Sequence, residues 1–266
     1  MQETVNFNSN QVVVVEDENV SAILLDIKAL QNDGTTVCDI ADLNKIAVSI
    51  KVFRKGQKEP KAICDGYLDD ILSALSVGST RYGIATTKQS NGYLVPIGFD
   101  GNIALSKGDK IEVRVKAQNT AFTSLNQSNS DITIETVPAV GRSSSVCTVV
   151  DQIPYRSQEQ TIKKTLGNNV LKIVLAHDFS QNYKGSSEAK PVNGITLIAD
   201  NYEKIASENL LVAENLSELQ FNPGTEIKHL SLYSEPNLLQ NATLQALYDK
   251  PVTSDAKILV LRRAVL

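Results

Sequence analysis

Short runs in which apolar and polar residues alternate recur along the chain. Ile111, Val113, Val115 and Ala117 alternate with Glu112, Arg114, Lys116 and Gln118. A period of two puts one face toward a core and the other toward water, which predicts a half-buried strand. Val48, Ile50 and Val52 alternate in the same way with Ser49, Lys51 and Phe53, and Ile132 and Ile134 stand beside Thr133 and Glu135. Ile258–Leu261 is instead a continuous apolar run, the pattern of a strand covered on both faces. The period changes once with clarity. Leu68, Ile71, Leu72 and Leu75 follow i, i+3, i+4, i+7 spacing and predict a helix, with Asp65 just upstream as its expected cap. A weaker helical pattern, Val212, Leu216 and Leu219, occurs later.

Between the apolar runs lie residues that tolerate positive φ: Asn32-Asp33-Gly34, Asn91-Gly92, Asp100-Gly101, Lys107-Gly108-Asp109 and Asn193-Gly194. Each predicts a tight turn. Short strands separated by frequent turns predict an all-β sandwich or barrel with short helices in its loops. Two stretches read as loops. Asn119 to Ser130 is rich in Asn, Gln, Ser and Thr, and Gly141 to Ser145 is a small polar segment near the middle of the chain that serves as the expected linker.

The two sides of that linker resemble each other. Asn19-Val20-Ser21-Ala22-Ile23-Leu24-Leu25 and Asn169-Val170-Leu171-Lys172-Ile173-Val174-Leu175 share the pattern Asn-Val-x-x-Ile-x-Leu. Val48-Ser49-Ile50 then corresponds to Ile195-Thr196-Leu197, the helix at Leu68 to Leu75 to Leu210 to Leu219, and Ser130-Asp131 before Ile132 to Ser254-Asp255 before Ile258. The order of matched elements predicts a duplicated sandwich, with a first domain over 1–150 that begins in an N-terminal arm, Met1 to Ser9, and a second, smaller domain over 151–266.

Composition narrows the function. Hydrophobic residues make up 42% of the 266, enough for real cores, and with no Trp and one Met those cores must be Val, Ile, Leu and Ala with a few Phe and Tyr. The net charge of −4, with Lys and Arg scattered, offers no basic stripe for nucleic acid. Met1 opens a polar segment without the basic and apolar regions of a secretory signal, and no apolar run is long enough to span a bilayer. The expected setting is a reducing cytoplasm. Three cysteines at irregular spacing, Cys38, Cys64 and Cys147, form no disulfide framework and read as small buried residues.

Candidate chemistry is sparse. His177 and His229 lie in separate apolar strand patterns and read as structural residues. His177-Asp178 has no nucleophile elbow to complete a triad. Acidic clusters at Glu16-Asp17-Glu18 and at Asp65, Asp69 and Asp70 are the places where calcium is to be considered, although neither has EF-hand spacing. A solvated loop and helix-start charges explain them more simply. No pair of carboxylates is singled out for glycoside hydrolysis, and no Gly-rich phosphate loop is present. Lys107-Gly108-Asp109 has the form of an adhesive tripeptide but suits a hairpin turn. The Asn-x-Ser/Thr sequons at Asn19, Asn126, Asn215 and Asn241 carry no weight without a secretory route. The residues therefore assign no catalytic site and no cofactor, and leave a metal site undetermined.

The repeated Asn-Val-x-x-Ile-x-Leu strands, the Ser-Asp-led closing strands and the chain length together resemble the double jelly-roll major capsid proteins of icosahedral, membrane-containing bacterial viruses. The resemblance is particularly to the small members typified by the corticovirus and the lipid-containing Flavobacterium phages. The resemblance covers Asn19 to Leu266. It implies a non-enzymatic structural protein of the virion, made in the host cytoplasm. Its partners would be itself, as a homotrimer with a pseudo-hexagonal outline and as neighbouring capsomers, together with minor capsid and vertex proteins and an internal membrane. A competing expectation is a carbohydrate- or receptor-binding sandwich of a phage spike or fibre. The absence of Trp weighs against its aromatic platform, while eight Tyr keep it open. An enzyme would need a convergent set of acid, base or metal ligands that the sequence does not display.

Overall fold

The structure, a computed structural model, describes residues 1–7, 9–38, 46–76, 87–88, 91–117, 125–139, 146–154, 160–176, 192–207, 210, 229–248 and 257–266. The first compact unit holds Met1–Leu75, most of the chain up to Val149, and Ala264–Leu266; the second holds Val150–Arg263.

In the first unit the strands are β1 (Gln2–Asn6), β2 (Val12–Glu16), β3 (Val20–Lys28), β4 (Ile46–Phe53), β5 (Lys61–Tyr67), β6 (Thr87–Lys88), β7 (Gly92–Ile103), β8 (Lys110–Ala117) and β9 (Asp131–Pro138), with helix α1 (Leu68–Ser76) after β5. They form two antiparallel sheets, β1-β9-β3-β7-β6 and β2-β8-β4-β5. Consecutive strands alternate between sheets over β1 to β4, which is jelly-roll connectivity. The predicted alternation holds along β8 and β4, whose apolar residues point inward and meet in register. Val13 faces Val113, which faces Ile50, which faces Cys64, one rung across four strands. The other sheet answers with Val5, Ile132, Ile27 and Tyr93. All eight side chains are buried.

The second unit repeats the plan with β10 (Val146–Pro154), β11 (Thr161–Gly167), β12 (Val170–Ala176), β13 (Val192–Ala199), β14 (Tyr202–Ala206), β15 (His229–Leu239), β16 (Ala242–Tyr248) and β17 (Lys257–Val265). Its sheets are β10-β17-β12-β15 and β11-β16-β13-β14. Strand for strand this is the order of the first unit without β6. The rung Ile162, Ala246, Ile195, Ala206 occupies the place of Val13, Val113, Ile50, Cys64. The repeat extends to an irregularity. β3 is bulged between Val20 and Ala22, and β12 between Val170 and Lys172, so both copies of the Asn-Val-x-x-Ile-x-Leu pattern break register just after their Val. Ile258–Leu261 is buried at every position, as its continuous apolar pattern predicts.

Several expectations are corrected. Met1 to Ser9 is no free arm: Gln2–Asn6 is strand β1, paired along its length with β9. Asp100-Gly101 and Asn193-Gly194 do not turn the chain. They lie inside β7 and β13, where Asp100 has φ 46° and the pairing slips beside Gly194. Bulges recruit the same residue types as turns, so the two cannot be told apart locally. Asp65 does not cap α1; it belongs to β5 and its carboxylate pairs with Lys51 at 2.9 Å. Gly108 (φ 91°) and Gly34 (φ 74°) do sit in turns. Gly92 is needed for closeness instead, since a Cβ there would lie 1.8 Å from the Ile27 carbonyl oxygen. The helical pattern at Val212 to Leu219, the Gly141 to Ser145 linker and Ser254-Asp255 lie outside the described residues.

Gly92 and Gly98 stand in one strand and test that packing argument. An added Cβ at Gly98 meets nothing within 4 Å. Gly92→Ala is expected to lose about 1–3 kcal/mol from overpacking against backbone, whereas Gly98→Ala should be neutral or gain up to about 1 kcal/mol. Urea midpoints of the two variants check this.

Candidate functional site

Most residues singled out for chemistry turn out to hold turns and strands together. In Lys107-Gly108-Asp109 the aspartate points inward, 7% exposed. Its carboxylate accepts the Lys55 backbone N–H at 2.8 Å, Arg54 Nη1 at 2.8 Å and the Ser106 N–H at 3.1 Å. The Lys55 hydrogen bond, ahead of the nearby guanidinium, holds this carboxyl below its usual range against the opposing effect of burial. The tripeptide is thus a clamp between the β4–β5 and β7–β8 turns, with its aspartate unavailable for adhesion.

In the acidic clusters, Glu18 and Asp65 have partners within the fold. Glu18 accepts the Thr136 hydroxyl at 2.9 Å and the Met1 ammonium at 3.3 Å. Asp17 takes φ 55° in the β2–β3 turn. Asp70 is buried in α1. Among the described residues no three His, Cys, Asp or Glu side chains gather as metal ligands. His229 opens β15 opposite Ala176, and His177 lies outside the described residues. Cys38, Cys64 and Cys147 are buried and form no disulfide. Burial pushes the Cys64 thiol up to about 12, and the neighbouring Asp65 charge adds to the shift.

One concave site was not anticipated from the sequence. A pocket of about 290 Å³ opens at the end of the second unit, between the β13–β14 turn and the end of β15. Asp200, Asn201, Tyr202, Tyr233, Asn237 and Leu238 contribute to its walls. Tyr233 is buried and its hydroxyl donates to the Asn237 carbonyl at 2.6 Å. The Tyr202 ring meets it edge-on, centroids 5.0 Å apart at 76°. Asp200 accepts both bonds of the Asn241 amide at 3.0 Å, and its backbone N–H donates to the Gln240 carbonyl at 3.1 Å. The pocket joins one short segment, Asp200–Tyr202, to another, Tyr233–Leu238, some thirty residues on, and neither segment reads as a site by itself.

Two tandem sandwiches that share eight strands of this connectivity, the first with β6 added, define a double jelly-roll protein. The whole chain is similar in fold to the major capsid protein P2 of bacteriophage PM2, at 12% identity and a TM-score of 0.53, covering 100% of this chain and 98% of that one. It is also similar to the major capsid protein of STIV, at 11% identity and a TM-score of 0.57, covering 99% and 96%. A chain from the atomic structure of Sulfolobus turreted icosahedral virus matches at 11% identity and a TM-score of 0.52, covering 100% and 90%. At such identities the likeness is one of fold. No protein-family model matches the sequence, and no curated protein does.

Two outcomes test these assignments. Asp109→Asn is expected to cost about 1–3 kcal/mol at neutral pH, the worth of hydrogen bonds to a charged group. Because the folded carboxyl titrates below its unfolded value of about 3.9, its contribution is complete above that pH and lost as pH falls through the folded value. The gap between variant and parent in acid denaturation should therefore close below about pH 4. A thiol reagent should find Cys38, Cys64 and Cys147 unreactive in the native protein and all three reactive in denaturant.

Proposed function

We propose that this chain is the major building block of a viral shell, a non-enzymatic capsid protein that trimerises into pseudo-hexagonal capsomers around an internal membrane. The observation that carries the reading is the tandem jelly roll, aligned from end to end with capsid proteins of two viruses. Two sandwiches in one chain give each subunit two similar lobes, so three subunits in a closed ring present six, the outline that packs as a hexagon.

The physical character of the surface supports the same reading. Among the described residues the sheets end in β1 and β6, β2 and β5, β10 and β15, and β11 and β14, strands with one side left unpaired. Such edges must be covered, shortened or charged to avoid uncontrolled pairing, and neighbouring subunits in a shell cover them. Ile198, Ile205 and Leu247 are exposed apolar residues of sheet β11-β16-β13-β14, a feature that self-association accommodates. Glu18, Asp65 and Asp109, weighed for chemistry, each bind a partner within the fold. On this reading the protein is made in the host cytoplasm and resides in the virion, with itself, minor capsid proteins and vertex proteins as partners. Calcium at subunit contacts remains part of the proposal to be tested, not a requirement.

Light scattering after size exclusion tests this directly. Three chains of 28.9 kDa give about 87 kDa, and particles of that mass with a hexagonal outline by electron microscopy are the expected result. A monomer that persists at high concentration, with and without calcium, would overturn the proposal.

A further inference from the structure

The duplication supplies an internal control for the pocket in the second unit. In the first unit the β4–β5 and β7–β8 turns are joined by the Arg54–Asp109 ion pair, 2.8 Å between Nη1 and Oδ2, with the Lys55 N–H on the other carboxylate oxygen. The matching turns of the second unit, β13–β14 and β15–β16, carry no such charge pair. Asp200 is held by the Asn241 amide instead, and the space beside the two turns is a pocket of about 290 Å³. One copy of the same turn pair is clamped shut; the other is braced and open.

The chemistry of the walls restricts what can enter. Among the lining residues there is one carboxylate, Asp200, and no Lys, Arg or His. An anionic ligand would meet repulsion without a counter-charge. Asn201 and Asn237 each bring a carboxamide, a donor and an acceptor on one rigid plane. Beside them Tyr202, half-buried against Tyr233, and Leu238 give apolar surface. A ligand that offers hydroxyls able to donate and accept, together with a face of C–H bonds that suits the negative face of an aromatic ring, matches both kinds of wall. Such a ligand is a sugar.

The rim is also pre-organised. Besides the Asp200 links, the Asn241 N–H donates to Asn168 Oδ1 at 2.8 Å and Gln240 Nε2 donates to Asn169 Oδ1 at 3.0 Å. Asn169 and Asn241 hold positive φ of 57° and 53°. Three turns are thereby tied before any ligand arrives, which lowers the ordering cost of binding. We infer that this pocket is a binding site for a neutral saccharide, with Tyr202 as the stacking surface and Asn201 and Asn237 as the hydroxyl-recognising groups. The inference rests on the fold alone and holds whether or not the chain builds a shell.

The full-length protein is titrated with glucose, galactose, mannose and N-acetylglucosamine by saturation-transfer NMR, then applied to an array of neutral and sialylated glycans. At least one neutral sugar should bind. Signal from the free monosaccharides points to a soluble sugar, and signal confined to the array points to the end of a surface polysaccharide. Sialylated glycans and inorganic phosphate should not bind. Asn201→Ala and Tyr202→Ala should each weaken binding about tenfold, and Tyr202→Phe, which keeps the ring, should retain most of it. Solution mass should be unchanged in all three, and melting temperature in Asn201→Ala and Tyr202→Phe; Tyr202→Ala, which removes a ring packed against Tyr233, should melt somewhat lower, so Asn201→Ala is the variant that separates binding from stability. No neutral sugar bound at millimolar concentration, or binding that both alanine variants leave intact, would overturn the assignment.

Discussion

Within each sheet the buried side chains meet in rungs, and a one-residue slip would turn a strand's whole apolar set toward water. The rung Val13–Val113–Ile50–Cys64 and its counterpart Ile162–Ala246–Ile195–Ala206 show how much depends on that alignment. With no Trp to fill space, the interior is assembled from many β-branched residues of similar size, and correct register is what brings them together. The turns and polar fastenings serve this end. Asp109 clamps one pair of turns, and Asp200 with Asn241 ties the equivalent pair while leaving a pocket beside it. Both keep neighbouring strands from sliding past one another.

The duplication explains why one chain carries both a clamp and a pocket. Two copies of a sandwich share the burden of the core, so the strands, the inward rungs and even the bulge after Val20 and Val170 are alike. The turn tips bear little of that burden and are free to differ. In the first copy a charged pair fills the space. In the second, carboxamides line it and leave room for a ligand. On the proposed reading, shell assembly uses the common part of this design, since assembly depends on shape and buried surface, and the proposed sugar site uses the turn tips that assembly leaves unconstrained.

Much of this architecture could be read from residue patterns. Alternation in Ile111–Ala117 and Val48–Phe53 implied strands with one buried face because a pleat has a period of two, a property of the backbone that needs no tertiary context. The i, i+3, i+4, i+7 spacing at Leu68 implied the helix for the same kind of reason. The paired Asn-Val-x-x-Ile-x-Leu segments pointed to two similar halves, and they occupy equivalent central strands.

Other features were settled only by the three-dimensional arrangement. Asp100-Gly101 reads as a turn, yet the long partner strand holds it inside β7 as a bulge. Asp65 reads as a cap, yet strand pairing carries it past the helix start and Lys51 claims it. The Arg54–Asp109 clamp joins residues 55 positions apart, and the pocket brings the β13–β14 turn at Asp200, Asn201 and Tyr202 against Tyr233 and Asn237 of β15. Local patterning determines which residues face inward and where the chain can bend. Which distant side chains then meet depends on strand order and register, because these are set by the simultaneous pairing of strands from the entire fold and no segment contains them on its own.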